Sequence, residues 1–325
     1  MMSNSSLNNQ KLTPAVVIGD FKILYRPGQA FEHTRTKLVR QGLKIQETPH
    51  FLLGLTPTTG MTTVVHQLAQ EDIDNNISQY LMEELAPYGL MASDRAFSAA
   101  LIGVVNSITP GNPTDAWGLF SLNTLQRLRE RVDDPPTNLK HYDFISSFAN
   151  IYHHLFSLKV GSSLLDVGCA CAFWPLLVAE REKEHHGRIV GVDNRQDAIV
   201  LSKNMASLAG ITNVEFLQYD LLSPEFSEVG MFDTVTAIHL LEHFSEDQLP
   251  QALSNLLKVT RQRLLIAVPH EQQAEVAYGH KQVFSREKLE QWGRWCVDQQ
   301  CGKGSFCYNE VMGGVLMVIK NPQTD

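Results

Sequence analysis

The strongest constraint on this chain is a series of five short apolar runs in its second half: LLDVG from 164, RIVGVD from 188, VEFLQYD from 214, FDTVTAI from 232 and RLLIAVP from 263. Strands buried on both faces read as near-continuous apolar runs, and parallel neighbours need a long crossover, usually a helix. Helical pattern fills the intervals, so the series predicts a parallel sheet wrapped by helices. Two further β-like runs, SFCYNEV and GVLMVIK, meet at Met312-Gly313-Gly314. No helix fits between them, which predicts a terminal antiparallel hairpin. Ahead of the first run, Phe144, Phe148, Ile151 and Leu155 carry the spacing of an amphipathic helix.

The first half has a different texture. Residues 1–12 are polar and are expected to be a disordered tail. AVVIGDFKILYRPG from 15 reads as two short strands, with Phe21, Ile23 and Tyr25 alternating before a Pro-Gly turn. AFSAALIGVVNSI at 96–108 reads as a buried helix, well short of the roughly 20 residues that span a bilayer. TDAWGLFSLNTLQRLRERV reads as a helix with Leu122, Leu125 and Leu128 at helical spacing, and DDPP at 133–136 closes it. The expected organisation is α/β: a smaller mixed N-terminal domain over 13–136, contributing to acceptor recognition or assembly, and the sheet domain over 137–320.

With 43% hydrophobic and 19% charged residues the chain can bury a large core. Its formal charge of -8 opposes unspecific binding to nucleic acid or to an anionic membrane. The start lacks the apolar stretch of a secretory signal, so a cytoplasmic location and reduced thiols are expected; the five cysteines, 169, 171, 296, 301 and 307, are an odd number. No metal site is expected from these residues. The single-residue gap of Cys169 and Cys171 does not make a chelating turn, and the rings of His153-His154 and His185-His186 diverge on a helix.

Ligands of an open parallel sheet gather beyond the carboxyl ends of its strands. The candidate residues are therefore Asp166 and Gly168 at the first strand, Asp193 ending the second, Asp220 after the third and His239 after the fourth. An acid ending the second strand can accept both hydroxyls of a ribose, and an acid after the third can accept an adenine amino hydrogen. A pyrophosphate would instead call for G-x-G-x-x-G at the first turn. Here Gly168 is followed by Ala170, Ala172 and Trp174-Pro175, and no Lys-Ser/Thr pair follows. These residues suit an adenosine-bearing ligand without phosphate.

The same segments resemble the class I methyltransferases. LLDVGCACAFWP resembles their first motif, usually D-x-G-x-G-x-G; VGVD resembles the acidic second motif, QYDLL the adenine-side acid, and FDTVTAIHLLEHF the fourth-strand motif with its Glu-His. The resemblance covers about residues 139–320 and implies a Rossmann-like fold with S-adenosylmethionine as cofactor. Its contacts would come from Asp166, Gly168, Cys169, Ala170, Asp193, Asn194, Asp220, Leu221 and His239. The departure is alanine at 170 and 172, the smallest replacement for glycine, which should shift the loop rather than close the pocket. FWPLL, TVTAIHLLEHF, IAVPHE, AYGHKQVF, GGVLMV and the upstream NTLQRL are also similar to the methyltransferases that act on the mycofactocin oligosaccharide. That similarity implies O-methylation of a glucose unit of a glycan.

Transfer from a sulfonium asks the protein mainly to align nucleophile, methyl and leaving sulfur and to exclude water. A hydroxyl acceptor also benefits from a base. His280, in the polar stretch YGHKQVF beside Tyr278, is the first candidate and is expected to lie on a loop covering the substrate. His239 is the second, and His243 is as well suited to orienting its loop as to touching substrate. Trp292 and Trp295 read as core. The expected activity is O-methylation of a glycan-like or polar small-molecule hydroxyl, the partner being a small-molecule or oligosaccharide acceptor. The alternatives are N- or C-methylation of another small metabolite, and a cofactor-binding scaffold without catalysis, which the two alanines suggest.

Overall fold

The alternation at Phe21, Ile23 and Tyr25 becomes one strand of a five-stranded sheet in a computed structural model that describes residues 13–56, 60–136, 143–182, 187–300 and 302–320. The expected tail of residues 1–12, His185, His186 and Cys301 lie outside the described residues. The chain divides into two compact units, Met1–Phe120 and Ser121–Asp325. The first contains β1 (Val16–Ile18), β2 (Phe21–Tyr25), α1 (Gln29–Arg40), β3 (Lys44–Glu47), β4 (Phe51–Leu55), β5 (Thr62–His66), α2 (Asn76–Leu85) and α3 (Asp94–Ile108). Its sheet runs β1-β2-β5-β4-β3, with β2 and β5 parallel and the other neighbours antiparallel.

The apolar run at 96–108 forms α3, and the Ser93 hydroxyl caps it by accepting from the Ala96 N–H at 3.1 Å. Gly103 lets α3 close on the sheet, since a Cβ there would stand 2.3 Å from Ile23 Cδ1. The division between the units falls inside α4 (Pro113–Arg131). Among the described residues no helix is long and apolar enough to cross a membrane.

The second unit continues with α5 (Phe144–Leu158), β6 (Leu164–Val167), α6 (Phe173–Arg181), β7 (Ile189–Asp193), α7 (Gln196–Ala209) and β8 (Glu215–Gln218). It ends with β9 (Phe232–Ile238), α8 (Leu249–Val259), β10 (Thr260–Val268), α9 (Arg286–Asp298), β11 (Gly304–Glu310) and β12 (Gly314–Lys320). The sheet order is β11-β12-β10-β9-β6-β7-β8. The pairs from β10 to β8 are parallel; β10 with β12 and β12 with β11 are antiparallel. This is the expected mostly parallel, Rossmann-like sheet with its hairpin.

The two-residue period of the strands explains why the runs are wholly apolar. Leu164, Ile189 and Leu265 enter one core with Trp174, Leu177 and Tyr152, while Leu165, Val190, Val235 and Leu264 enter another with Leu253 and Leu289. Each strand thus buries both faces.

α5 departs from the expected stripe. Ile145, Ala149, Ile151, Tyr152 and Leu155 are buried, whereas Phe144 and Phe148 are half-buried. Their rings turn toward loops at the carboxyl ends of the strands: Phe144 lies 5.9 Å from Tyr278 and Phe148 lies 5.2 Å from His239, between ring centroids. Phe148 also packs against the core beneath the helix.

Candidate active site

β6 is the point where the sheet reverses its order, because its neighbours are β7 on one side and β9 on the other. The crevice beyond its carboxyl end is therefore the expected ligand position. Asp166 pairs in register with Gly191 of β7 and Thr236 of β9, and its Oδ1 accepts a 2.7 Å hydrogen bond from Thr236 Oγ1. Burial pushes its carboxyl up to about 7, with the charge of Asp193 adding to the effect and the Thr236 hydroxyl opposing it.

The chain then turns in left-handed backbone: φ is 75° at Gly168, 43° at Ala170 and 58° at Ala172, the last residue before α6. A Cβ on Gly168 would meet Leu240 Cδ1 at 2.8 Å, so this glycine is required by its neighbour as well as by its φ. Gly168 and Cys169 both donate their N–H to the Val192 carbonyl, at 2.8 and 2.9 Å.

Asp193, at the end of β7, binds this loop directly. Its Oδ2 accepts from the Ala170 N–H at 3.1 Å and its Oδ1 from the Arg195 N–H at 3.0 Å. An ionised carboxylate has about four acceptor directions, so two remain. The Asn194 carbonyl accepts from Gln218 Nε2 at 2.9 Å, which joins the ends of β7 and β8. Asp220 turns the chain after β8, its Oδ1 accepting from the Leu222 N–H at 2.9 Å. Leu221 packs its side chain into the core and receives Asn255 Nδ2 on its carbonyl at 2.8 Å.

Asp166, Gly168, Ala170 and Asp193 thus form one hydrogen-bonded or packed rim, with Asn194 and Asp220 following along it. The donor set fits an adenosine-bearing cofactor: a strand-end carboxylate with free acceptor directions stands beside a positive-φ turn that carries no large side chain. Cys169 is buried in the apolar core, and burial holds its thiol protonated.

A second cluster was not read from the sequence as a group. After β9, His239 (φ 49°), Glu242 and His243 stand in a short turn; after β10, Glu271 and His280 stand in the longer loop. His280 is not on an open covering loop. Its side chain is 7% exposed, its Nδ1 lies 2.9 Å from both Glu271 oxygens, and its Nε2 lies 4.0 Å from Glu242 Oε1. The ring of His243 crosses that of His280 edge-on at 4.9 Å, and its Nδ1 lies 3.3 Å from the Gly279 carbonyl.

Glu242 is 1% exposed, and neither of its carboxylate oxygens has a hydrogen-bond partner. Burial pushes its carboxyl up to about 8, helped by the charge of Glu271. His239 Nδ1 lies 3.5 Å from Glu242 Oε1 and its Nε2 is buried without a partner. Burial, with the nearby His280 and His243, holds this imidazole down at about 4, so it is neutral at physiological pH. The only sequence signal for the cluster was the density of His and Glu in HLLEH and PHE; it was missed because the two stretches join only through the parallel pairing of β9 with β10.

Part of this chain is similar to known methyltransferases. Residues 158–308 match the family model of a methyltransferase domain. Over 121 residues the chain is 28% identical to a demethylmenaquinone methyltransferase of Bacillus cereus, an overlap covering 34% of this chain and 50% of that protein. The chain therefore spans half the length of this curated relative. Among solved structures, the methyltransferase domain of bacterial CtHen1-CN is 16% identical with a TM-score of 0.45, the match covering 54% of this chain and 100% of that one. Magnesium protoporphyrin IX methyltransferase from Synechocystis PCC 6803, with bound S-adenosylhomocysteine, is 13% identical with a TM-score of 0.42, covering 64% of this chain and 99% of that one. Residues 158–308 are thus similar to a methyltransferase domain.

Proposed function

We propose that the protein transfers a methyl group from S-adenosylmethionine to a hydroxyl of a glycan-like or other polar small molecule. The observation that carries this reading is the pairing of His280 with Glu271 at 2.9 Å, beside His239 and Glu242, in the loops that follow β9, the neighbour of β6, and β10 beyond it. A sulfonium methyl is already electrophilic, so a polar cluster with proton-accepting groups is needed only by an acceptor that must lose a proton. A hydroxyl is such an acceptor.

When bound, S-adenosylmethionine supplies a methyl group on a positively charged sulfur. Asp193 holds the ribose hydroxyls through its two remaining acceptor directions, and Asp220 receives the adenine amino group. Cys169, Ala170, Asn194 and Leu221 contribute backbone around the adenosine. Phe144 and Phe148 screen the loops from water. His280, oriented by Glu271, is the first candidate to take the acceptor proton and His239 is the second. The first unit contributes to acceptor recognition, and the work is done in the cytoplasm.

The test is product analysis with a labelled methyl donor and parallel acceptors: oligosaccharides containing glucose, other polyols, an amine series, and demethylmenaquinone, which the Bacillus cereus relative's name supplies as the rival. Label appearing as a methyl ether on a hydroxyl supports the reading; label on nitrogen or carbon discards it. His239→Ala and His280→Ala are assayed at saturating cofactor and acceptor. A base is expected to be worth about 10²- to 10⁴-fold in kcat. Normal turnover in both variants leaves alignment as the source of rate.

A further inference from the structure

The two loops bring one carboxylate oxygen of Glu242 and one ring nitrogen each of His243 and His280 within 4.8 Å of one another. Glu242 is sealed from water and both of its oxygens lack hydrogen-bond partners, which is costly for a carboxylate unless something positive completes it. The far sides of the imidazoles are already committed. His280 Nδ1 faces the Glu271 carboxylate at 2.9 Å, and His243 Nδ1 faces the Gly279 carbonyl at 3.3 Å. An Nδ1–H donated to these acceptors leaves the lone pair on Nε2, as in imidazoles that ligate metals.

We propose that Glu242, His243 and His280 hold a divalent transition-metal ion, and that the acceptor hydroxyl completes its coordination. Two imidazoles and one carboxylate are a mixed nitrogen and oxygen set, suited to Mn²⁺, Fe²⁺, Co²⁺ or Zn²⁺ rather than to the all-oxygen cages of Ca²⁺. Three protein ligands leave positions open for the acceptor. The inference rests on the O-methyltransferase reading and refines it: His280 becomes a ligand and Glu271 positions it. The acceptor O–H proton leaves to solvent water, the oxygen electron pair forms the O–CH₃ bond, and the electrons of the broken C–S bond remain on sulfur. S-adenosylhomocysteine leaves, and no oxidant or reductant is consumed. The ion acts as a Lewis acid that favours loss of the hydroxyl proton.

The full-length protein, stripped with a chelator, is titrated with Co²⁺ alone and with Mn²⁺ alone. Saturable binding of one equivalent is expected, seen as a visible Co²⁺ absorption band and as loss of the free Mn²⁺ resonance signal. Glu242→Gln, which keeps the volume, and His280→Ala should each weaken binding at least about tenfold, and Glu271→Gln by about 10- to 100-fold. S-adenosylhomocysteine affinity should change in none of them by more than about threefold, since the ligands lie outside the adenosine rim. If His280→Ala fails to fold, Glu242→Gln decides. Wild-type protein that binds neither ion at about 1 mM, Glu242→Gln that binds like wild type, or stripped protein that turns over at full rate overturns the proposal. A wild type that does not bind S-adenosylhomocysteine would instead overturn the methyltransferase reading, with the ion titrations still decisive for the metal.

Discussion

Asp193 both builds the cofactor turn, through the Ala170 N–H, and retains acceptor capacity toward a ligand. Asp193→Ala is expected to weaken S-adenosylhomocysteine binding by roughly 1.5 to 3 kcal/mol, the range for hydrogen bonds to a charged group. Calorimetry returning an unchanged affinity with the fold intact would contradict the assignment. Asp166 carries a different signature, a pH dependence. Its folded pKa of about 7 lies above the unfolded value, so the native state holds the proton more tightly. Stability from this group is present at acid pH and is lost as pH rises from about 4 to about 7, to the extent of a few kcal/mol. Asp166→Asn keeps an oxygen for the Thr236 hydroxyl and removes the titration, so its Tm relative to wild type should be higher near pH 7.5 than near pH 4.5. A constant difference across that range would mean that Asp166 is not the group responsible. These acids were legible in the sequence because a carboxylate in or ending an apolar strand has no structural reason to be there. Glu242 was not, because what marks it is the lack of partners inside a closed fold, and His280 looked exposed in its polar stretch although Glu271 and Glu242 enclose it.

The turn between β6 and α6 shows how far element-level rules reach. Its position followed from Gly168, and the two alanines that stand at 170 and 172, where the motif usually has glycine, both take positive φ. Left-handed backbone costs an L-residue roughly 1 to 2 kcal/mol, against about 0.5 to 1 kcal/mol for the greater freedom of glycine in the unfolded chain. Exposed Ala170 should therefore accept Gly with a stability change between zero and a gain of about 1.5 kcal/mol. Ala172 is fully buried and would forfeit packing as well, so the same replacement there should gain less. Gly168→Ala has the opposite sign, since its Cβ collides with Leu240 and strains φ. Denaturant unfolding and S-adenosylhomocysteine binding on the three variants check the order; equal behaviour of Gly168→Ala and Ala170→Gly would remove the special role of the turn. The hairpin offers a parallel case: Gly313, with φ 136°, would place a Cβ 2.2 Å from the Val268 carbonyl. The strands were read correctly because burial on both faces leaves an unbroken apolar run. The period marked α5 as a helix, but it does not show that the half-buried Phe144 and Phe148 also set their rings against the loops above the sheet.

At the scale of the molecule, the methyltransferase match begins at residue 158 and leaves the first unit outside it. That unit has its own sheet and a core that includes Leu24, Phe31, Leu38, Leu52 and Val65. The second unit is enclosed on both faces of its sheet, and Leu125, Leu128 and Val132 from the end of α4 and just beyond join the core formed with α5 and α6. The units divide within a continuous helix, where Gly118 does not break the chain. Helical pattern continues through the division because each residue there satisfies the same local spacing whichever core it enters. A fragment beginning at Pro113 preserves that helix and every strand of the larger sheet, so it should unfold in one cooperative transition. Its affinity for S-adenosylhomocysteine should stay within about threefold of the full chain, because the rim acids and the Gly168 turn are all retained. On the proposed function the first unit contributes to acceptor recognition, so its loss should raise the KM for acceptor by about tenfold or more, equivalent to about 1.4 kcal/mol of lost binding. A fragment that binds the cofactor and methylates the acceptor with the kcat/KM of the full chain would remove acceptor recognition from the first unit; one that binds the cofactor but needs far more acceptor to reach the same kcat would place it there.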